Sequence, residues 1–290
     1  MKYIFLRYPE GKFKAVTVSY DDGQYHDVRL AQTLDKYGLK GTFNLCSKRI
    51  GQQSPSRRLT AEEVREHLLG KGHEVAVHGE DHISPVLSRP TKAIQDVLNC
   101  RLALEQTFGI MVRGMAYPDV ALRNFQNGAT AENICAYLQD LGIVYARNIV
   151  PNEEPLTYSL PTDWLAWNAT VHHNHPKATA YAKEFVALDQ DKLYRAKRWP
   201  KVFMLWGHSF EFDREGNWEL LDQLCQILGG KGDTWYATCM EIYEYVKAYD
   251  ALVFSADSTR VYNPTLHTVW FDVDGRLYHV APGQTVTIEG

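Results

Sequence analysis

Two hydrophobic periodicities alternate along this chain. Short runs rich in β-branched and aromatic residues predict strands, and longer stretches with apolar positions three and four apart predict amphipathic helices. The predicted strands are 14–20, 41–45, 74–77, 112–116, 143–145, 202–206 and 235–237. Between them fall predicted helices at 28–37, 61–69, 93–108, 131–141, 178–188, 218–228 and 240–249. Thr60 with Glu63 and Thr238 with Glu241 form capping boxes that fix two helix starts, and glycines at 38, 70, 109, 142 and 229 close others. Such alternation requires a parallel sheet, and about seven repeats of it predict an α/β barrel, closed or nearly so, over residues 1–250.

From about Ala251 the pattern shortens to alternating strands with tight turns, among them Asn263-Pro264 and the Asp274-Gly275 pair between TVWFDV and RLYHV. Residues 251–290 are therefore expected to form a small antiparallel β appendage. Its strands are too few to be stable alone, which favours a cover packed on the barrel over a lobe that contacts sugar.

The 290 residues carry 31 Lys and Arg against 35 Asp and Glu, for a net charge of -4. No run of like charge stands out, so nucleic acid is not expected as a partner. The opening MKYIFLRYPEGKFK is too short in apolar residues for a signal sequence or a membrane span. Five scattered cysteines without a CxxC pair fit reduced thiols, and together these features predict a cytoplasmic protein with no membrane partner. Seven tryptophans and seventeen tyrosines offer rings for a core or for stacking on sugars. Oligomeric state is left open.

Four polar clusters sit at or near the ends of predicted strands, where a barrel gathers catalytic groups on one face. Asp21-Asp22-Gly23 follows AVTVSY; alone it is a turn signal, but adjacent carboxylates can diverge, one binding a cation and the other accepting a proton. His78 and His82 follow HEVAV at a spacing that brings two imidazoles together. With one Asp they make a two-histidine, one-carboxylate set suited to a divalent metal, with positions left for water and substrate. Arg113, in RGMAYP with Tyr117, can lock a carboxylate bidentately, or form a rim salt bridge. His208, in FMLWGHSFEFD beside Trp206, can protonate a leaving group or pack in the core.

In this order and at these separations, SYDDG, HGEDH, RGMAYP and MLWGH resemble four motifs of the NodB-like polysaccharide deacetylases, carbohydrate esterase family four. The resemblance spans roughly residues 14–250. It implies an irregular TIM-like (β/α)7 barrel, a divalent metal, usually Zn2+ with Co2+, Ni2+ or Fe2+ as alternatives, and removal of acetyl groups from N- or O-acetylated sugars. By position, Asp21 would be the base and Asp22, His78 and His82 the ligands. Arg113 would hold Asp21, the Tyr117 N–H would bind the oxyanion, and His208 would be the acid.

Three departures stand out. Gly79 replaces a Ser or Thr whose hydroxyl supports the histidine loop; the last histidine stands in LWGH rather than LxH; and the Asp-Trp buttress has only Asp163-Trp164 as a candidate. The connection 151–178 also carries His172, His173 and His175, and long irregular connections are often functional, so His172 and His173 with Trp206, Asp163 and Trp164 are candidate substrate contacts. Glu211 and Asp213 are rim carboxylates without an assigned role. Two alternatives accompany the acetylated-carbohydrate reading: a hydrolase of a small N-acyl or ureide compound on the same barrel, and a glycan-binding protein without chemistry.

Overall fold

The computed structural model describes residues 3–149 and 156–289; Pro151, the start of the predicted long connection, lies outside them. Fifteen strands occur among the described residues. They are β1 (Ile4–Arg7), β2 (Lys14–Asp21), β3 (Gly41–Leu45), β4 (Glu74–Val77), β5 (Gly114–Ala116), β6 (Tyr145–Asn148), β7 (Trp167–Asn168) and β8 (Val171–His172). There follow β9 (Lys201–Gly207), β10 (Thr234–Tyr236), β11 (Val253–Phe254), β12 (Arg260–Tyr262), β13 (Val269–Val273), β14 (Arg276–Val280) and β15 (Thr285–Thr287).

Strands β2 to β10 form one parallel sheet in the order β7-β6-β5-β4-β3-β2-β9-β8, with β10 on the lower part of β2. Its two ends, β7 and β8, are pieces of one continuous segment. Ala169 N donates to Asn148 O and Thr170 N to Met204 O, so this short segment hydrogen-bonds to β6 on one side and β9 on the other. The sheet thereby curls into a distorted α/β barrel. Residues 167–172 were expected within an irregular connection; they are too short to show a period, and only their neighbours make them strands.

Alternation along each strand sorts side chains between two environments. Val16, Val18, Tyr20, Phe43, Leu45, Val75, Val77, Phe203 and Leu205 face the surrounding helices in the largest core. Inward positions change with height. At the foot, Ala15, Tyr145, Trp167, Val202 and Met204 pack against Ile242, Tyr245 and Val246 of the helix Cys239–Asp250. Above them the interior turns polar, with Thr17, Ser19, Thr42, Asn44 and Asp21 all buried.

The helix Cys239–Asp250 closes the foot with its free N-terminal amides. Its capping box is present as expected; Cys239 N donates to Thr42 Oγ1 (3.0 Å) and Met240 N to Glu74 Oε2 (2.9 Å). Tyr145 Oη donates to Glu74 Oε1 at 2.6 Å. Gly114 permits this: a Cβ there would come within 2.2 Å of the Tyr145 hydroxyl.

The C-terminal strands form two small antiparallel sheets, β11-β12-β15 and β1-β13-β14, so the chain's first strand pairs with its last segment. The predicted Asp274-Gly275 turn joins β13 to β14, both residues in the left-handed region (φ 51° and 94°). Tyr245 Oη donates to Arg7 O and accepts from Trp270 N, tying this sheet to the helix at the foot, away from the strands' C-terminal ends.

Tyr145→Phe removes a donor from a buried carboxyl and is expected to cost about 1–3 kcal/mol. The check is urea unfolding, with the midpoint lowered and the slope unchanged; an unaltered midpoint would show that Glu74 does not depend on the phenol.

Candidate active site

Register brings the last inward position of each strand to one level. Asp21 pairs with Asn44, Leu45 with Val77, Ala116 with Arg147 and Tyr20 with Gly207, so Asp21, His78, Arg147 and His208 converge at the barrel mouth. Asp21 is only 3% exposed. Arg147 Nη2 donates to its Oδ2 at 2.5 Å, and Asn44 Nδ2 to its Oδ1 at 2.9 Å. His78 Nε2 and His208 Nε2 each stand 3.9 Å from Oδ2. Burial pushes this carboxyl up, but Arg147, with His78 and His208, outweighs it and holds Asp21 below the usual carboxylate range. The guanidinium of Arg147 lies 4.7 Å from the Trp206 ring centroid, so the charge that fixes Asp21 also stacks on an aromatic wall.

Beside Asp21, the ligand atoms of Asp22, His78 and His82 lie within 4.8 Å of one another. His78 Nδ1 is 3.0 Å from Ala116 O, which assigns the ring proton to Nδ1 and leaves the Nε2 lone pair facing the site. Burial pushes this imidazole down to about 4, with Asp21 opposing, so it is neutral as a ligand must be. Two imidazoles and a carboxylate, one imidazole braced by a backbone carbonyl, are donors that fit a divalent transition metal. Asp22 Oδ1 meets Arg49 Nη1 at 3.2 Å and His82 Nε2 at 3.8 Å.

The loop that carries His82 is shaped by Gly79 and Asp96. The Asp96 carboxylate, from the helix Pro90–Phe108, accepts from Asp81 N (2.7 Å) and Ile83 N (3.4 Å). A Cβ on Gly79 (φ 84°) would come within 2.2 Å of Asp96 Oδ2. The support expected from a Ser or Thr hydroxyl is thus supplied by a carboxylate entering from outside the loop, and glycine is what makes room for it.

The polysaccharide deacetylase family profile matches residues 8–146, from the approach to β2 into β6. Over these 139 of its 290 residues the chain is similar to that family. No protein of curated function matches it by sequence. A Mycobacterium smegmatis structure assigned to the polysaccharide deacetylases is 21% identical with a TM-score of 0.58, the match covering 84% of this chain and 94% of that one. A Pseudomonas aeruginosa PAO1 structure, also assigned there, is 14% identical with a TM-score of 0.56 over 82% and 92%. The PuuE allantoinase structure is 12% identical with a TM-score of 0.55 over 82% and 91%. These likenesses show a shared fold. Arg147 is the first residue past the family match, and His172, His208 and Glu211 lie wholly beyond it.

Several of the expected site residues stand elsewhere in the structure. Arg113 precedes β5 at the opposite end of the barrel, where its Nη1 is 3.8 Å from Glu244; Arg147 on the next strand holds Asp21 instead. Period-two alternation from Tyr145 reaches Arg147, but the predicted strand stopped at Tyr145. Tyr117 has its ring in the outer core, and its N–H donates to Arg147 O (3.1 Å), so that amide is already paired. Asp163 caps the short turn Trp164–Ala166 and Trp164 packs 5.1 Å from Tyr243 near the foot, so neither buttresses the mouth.

The carboxylate beside His208 is that of Glu211, three residues later. Its Oε1 lies 3.5 Å from His208 Nδ1, and its Oε2 lies 3.1 Å from His172 Nε2 and 3.2 Å from His173 Nε2. Of the predicted substrate contacts, His172 and Trp206 border the mouth, their rings 4.5 Å apart, while His173 is buried behind them. Gly207 explains the LWGH spacing, since a Cβ there would meet His173 Nδ1 at 2.0 Å. Glu211 was legible only as an i,i+3 neighbour of His208.

Arg147→Ala leaves a buried carboxylate unpaired and is expected to cost about 3–5 kcal/mol. Arg113→Ala breaks a half-exposed pair and should cost under about 1 kcal/mol. Thermal unfolding of both variants checks the assignment, which a larger loss from Arg113→Ala would reverse.

Proposed function

We propose that this protein is a metal-dependent hydrolase that removes acetyl groups from an N- or O-acetylated carbohydrate. One observation carries the proposal: a single buried carboxylate oxygen, Asp21 Oδ2, stands 3.9 Å from His78 Nε2 of the metal-ligating group and 3.9 Å from His208 Nε2. A base lies between a cation site and an acid, as acyl transfer to water requires.

A divalent cation such as zinc, held by Asp22, His78 and His82, would polarise the acyl carbonyl, acidify water and carry the developing negative charge. Asp21, kept ionised by Arg147, accepts the proton from the attacking water as its oxygen bonds to the acyl carbon. His208 gives the proton on Nε2 to the departing nitrogen or oxygen as the acyl bond breaks, so the products are acetate and a free amine or alcohol. Glu211 at Nδ1 orients that ring and favours its charged form. Trp206 and His172 offer ring faces beside the acid, which suits the apolar face of a sugar.

The direct test is acetate release from N-acetylglucosamine oligomers and acetylated xylo-oligosaccharides by protein stripped of metal and reloaded with zinc. Metal-dependent release supports the proposal. No release despite bound zinc would overturn it and favour a small N-acyl or ureide substrate.

Asp21→Asn should lower turnover by about 10²–10⁴-fold with zinc binding retained, whereas His78→Ala should lose both. Metal content measured beside turnover separates the two, and near-normal turnover in Asp21→Asn would remove Asp21 as the base. A pH profile tests the acid. Burial lowers His208, but Glu211 first, then Asp21 and the more distant Asp22, outweigh it and hold the ring above the ordinary imidazole value. Turnover should therefore fall as pH rises through that raised value and the proton is lost. Glu211→Gln leaves burial less opposed, so the falling limb should move to lower pH; a move upward would rule out His208 as the acid.

A further inference from the structure

Across Asp21 from the first ligand group lies a second one. His172 at the end of β8, His208 after β9 and Glu211 on the helix Ser209–Glu215 place one ligand atom each within 4.8 Å of one another. His173 adds a third imidazole, its Nε2 3.2 Å from Glu211 Oε2, and the residue is wholly buried. Although these groups are close, Glu211 Oε2, His173 Nε2 and His208 Nδ1 are buried atoms without an aligned hydrogen-bond partner. Lone pairs that converge at these distances in a buried space can share one cation.

We propose that His172, His208 and Glu211 form a second divalent-cation site, and that filling it silences the enzyme. The donor set is two imidazoles and one carboxylate, the same chemistry as the first site, and suits zinc or a neighbouring transition metal. His173 lines its inner wall. The Nδ1 of His173 faces Tyr20 Oη at 3.1 Å, so a proton there leaves the Nε2 lone pair towards Glu211. Binding has one local cost: Asn174 N now donates to His172 Nδ1 (3.1 Å), and an imidazole that ligates through Nε2 must carry its proton on Nδ1. That short turn bond is given up.

The consequence for turnover rests on the role of His208 proposed above. Its Nδ1 faces Glu211 and its Nε2 faces Asp21. A cation on Nδ1 leaves a single proton on Nε2, and a neutral imidazole gives up its last proton far less readily than an imidazolium does. The ring then cannot serve as the acid. Zinc would activate at low concentration through Asp22, His78 and His82, and inhibit at higher concentration through the second set.

The experiment is equilibrium dialysis of the full chain against buffered zinc, with bound metal counted and turnover measured on the same samples. The wild type should take up a second equivalent of zinc as turnover falls. His172→Gln and Glu211→Gln should each lose that second equivalent while keeping the first, and His78→Ala should keep the second while losing the first. Histidine side-chain NMR of the unaltered protein gives a reading independent of folding of the variants: the His172 and His208 signals should shift with the second equivalent. A single equivalent in the wild type, or a second that survives both His172→Gln and Glu211→Gln, would overturn the site. Two equivalents with no turnover at any zinc level would leave the site standing and refute the deacetylase proposal instead.

Discussion

The mouth of this barrel is organised around one buried ion pair, Asp21 with Arg147. An isolated carboxylate at 3% exposure would take up a proton to escape the desolvation cost; a guanidinium at 2.5 Å and the Asn44 amide on its other oxygen keep it charged. That charge also sets the surroundings. It draws His208 towards its protonated form and stands next to the lone pair of His78. A neighbouring acid shows the contrast: Asp27, fully buried and without such a partner, is pushed by burial up to about 8 and holds its proton near neutral pH.

Around this pair, the chain stabilises backbone conformations that a free loop would avoid. Asp22 (φ 80°), Gly79 (φ 84°) and His82 (φ 60°) all lie in the left-handed region, and two of the three are metal-ligating candidates. Each has a specific restraint. Asp22 N donates to Asn44 O, Arg58 donates to Asp22 O, and Asp96 accepts the amides of the His82 loop. Strain at these candidate ligands is therefore offset by hydrogen bonds from residues outside the candidate set.

The His208 side of the mouth follows a different design. There one carboxylate, Glu211, gathers three imidazoles, and burial pushes His173 down to about 3, so it contributes shape and dipole rather than charge. The short segment 167–172 brings His172 and His173 to Glu211 and also completes the barrel between β6 and β9, so one segment serves both the closure of the sheet and the surroundings of Glu211.

Local pattern along the chain determined the alternation of strands and helices, the capping boxes at Thr60 and Thr238, the Asp274-Gly275 turn, and the grouping of Asp21, Asp22, His78, His82 and His208 at strand ends. Those features depend on spacings of a few residues, where period and backbone preference act directly. Arg147 in place of Arg113, Asp96 behind Gly79, Glu211 in place of Asp163, and the strand character of 167–172 were decided by tertiary structure. Each depends on which side chains meet across strands or from a helix far along the chain: Asp21 and Arg147 are 126 residues apart, yet the parallel register lays them on one level of the barrel's interior. Short-range pattern fixes which face a residue takes, and only the pairing of distant strands fixes what it faces.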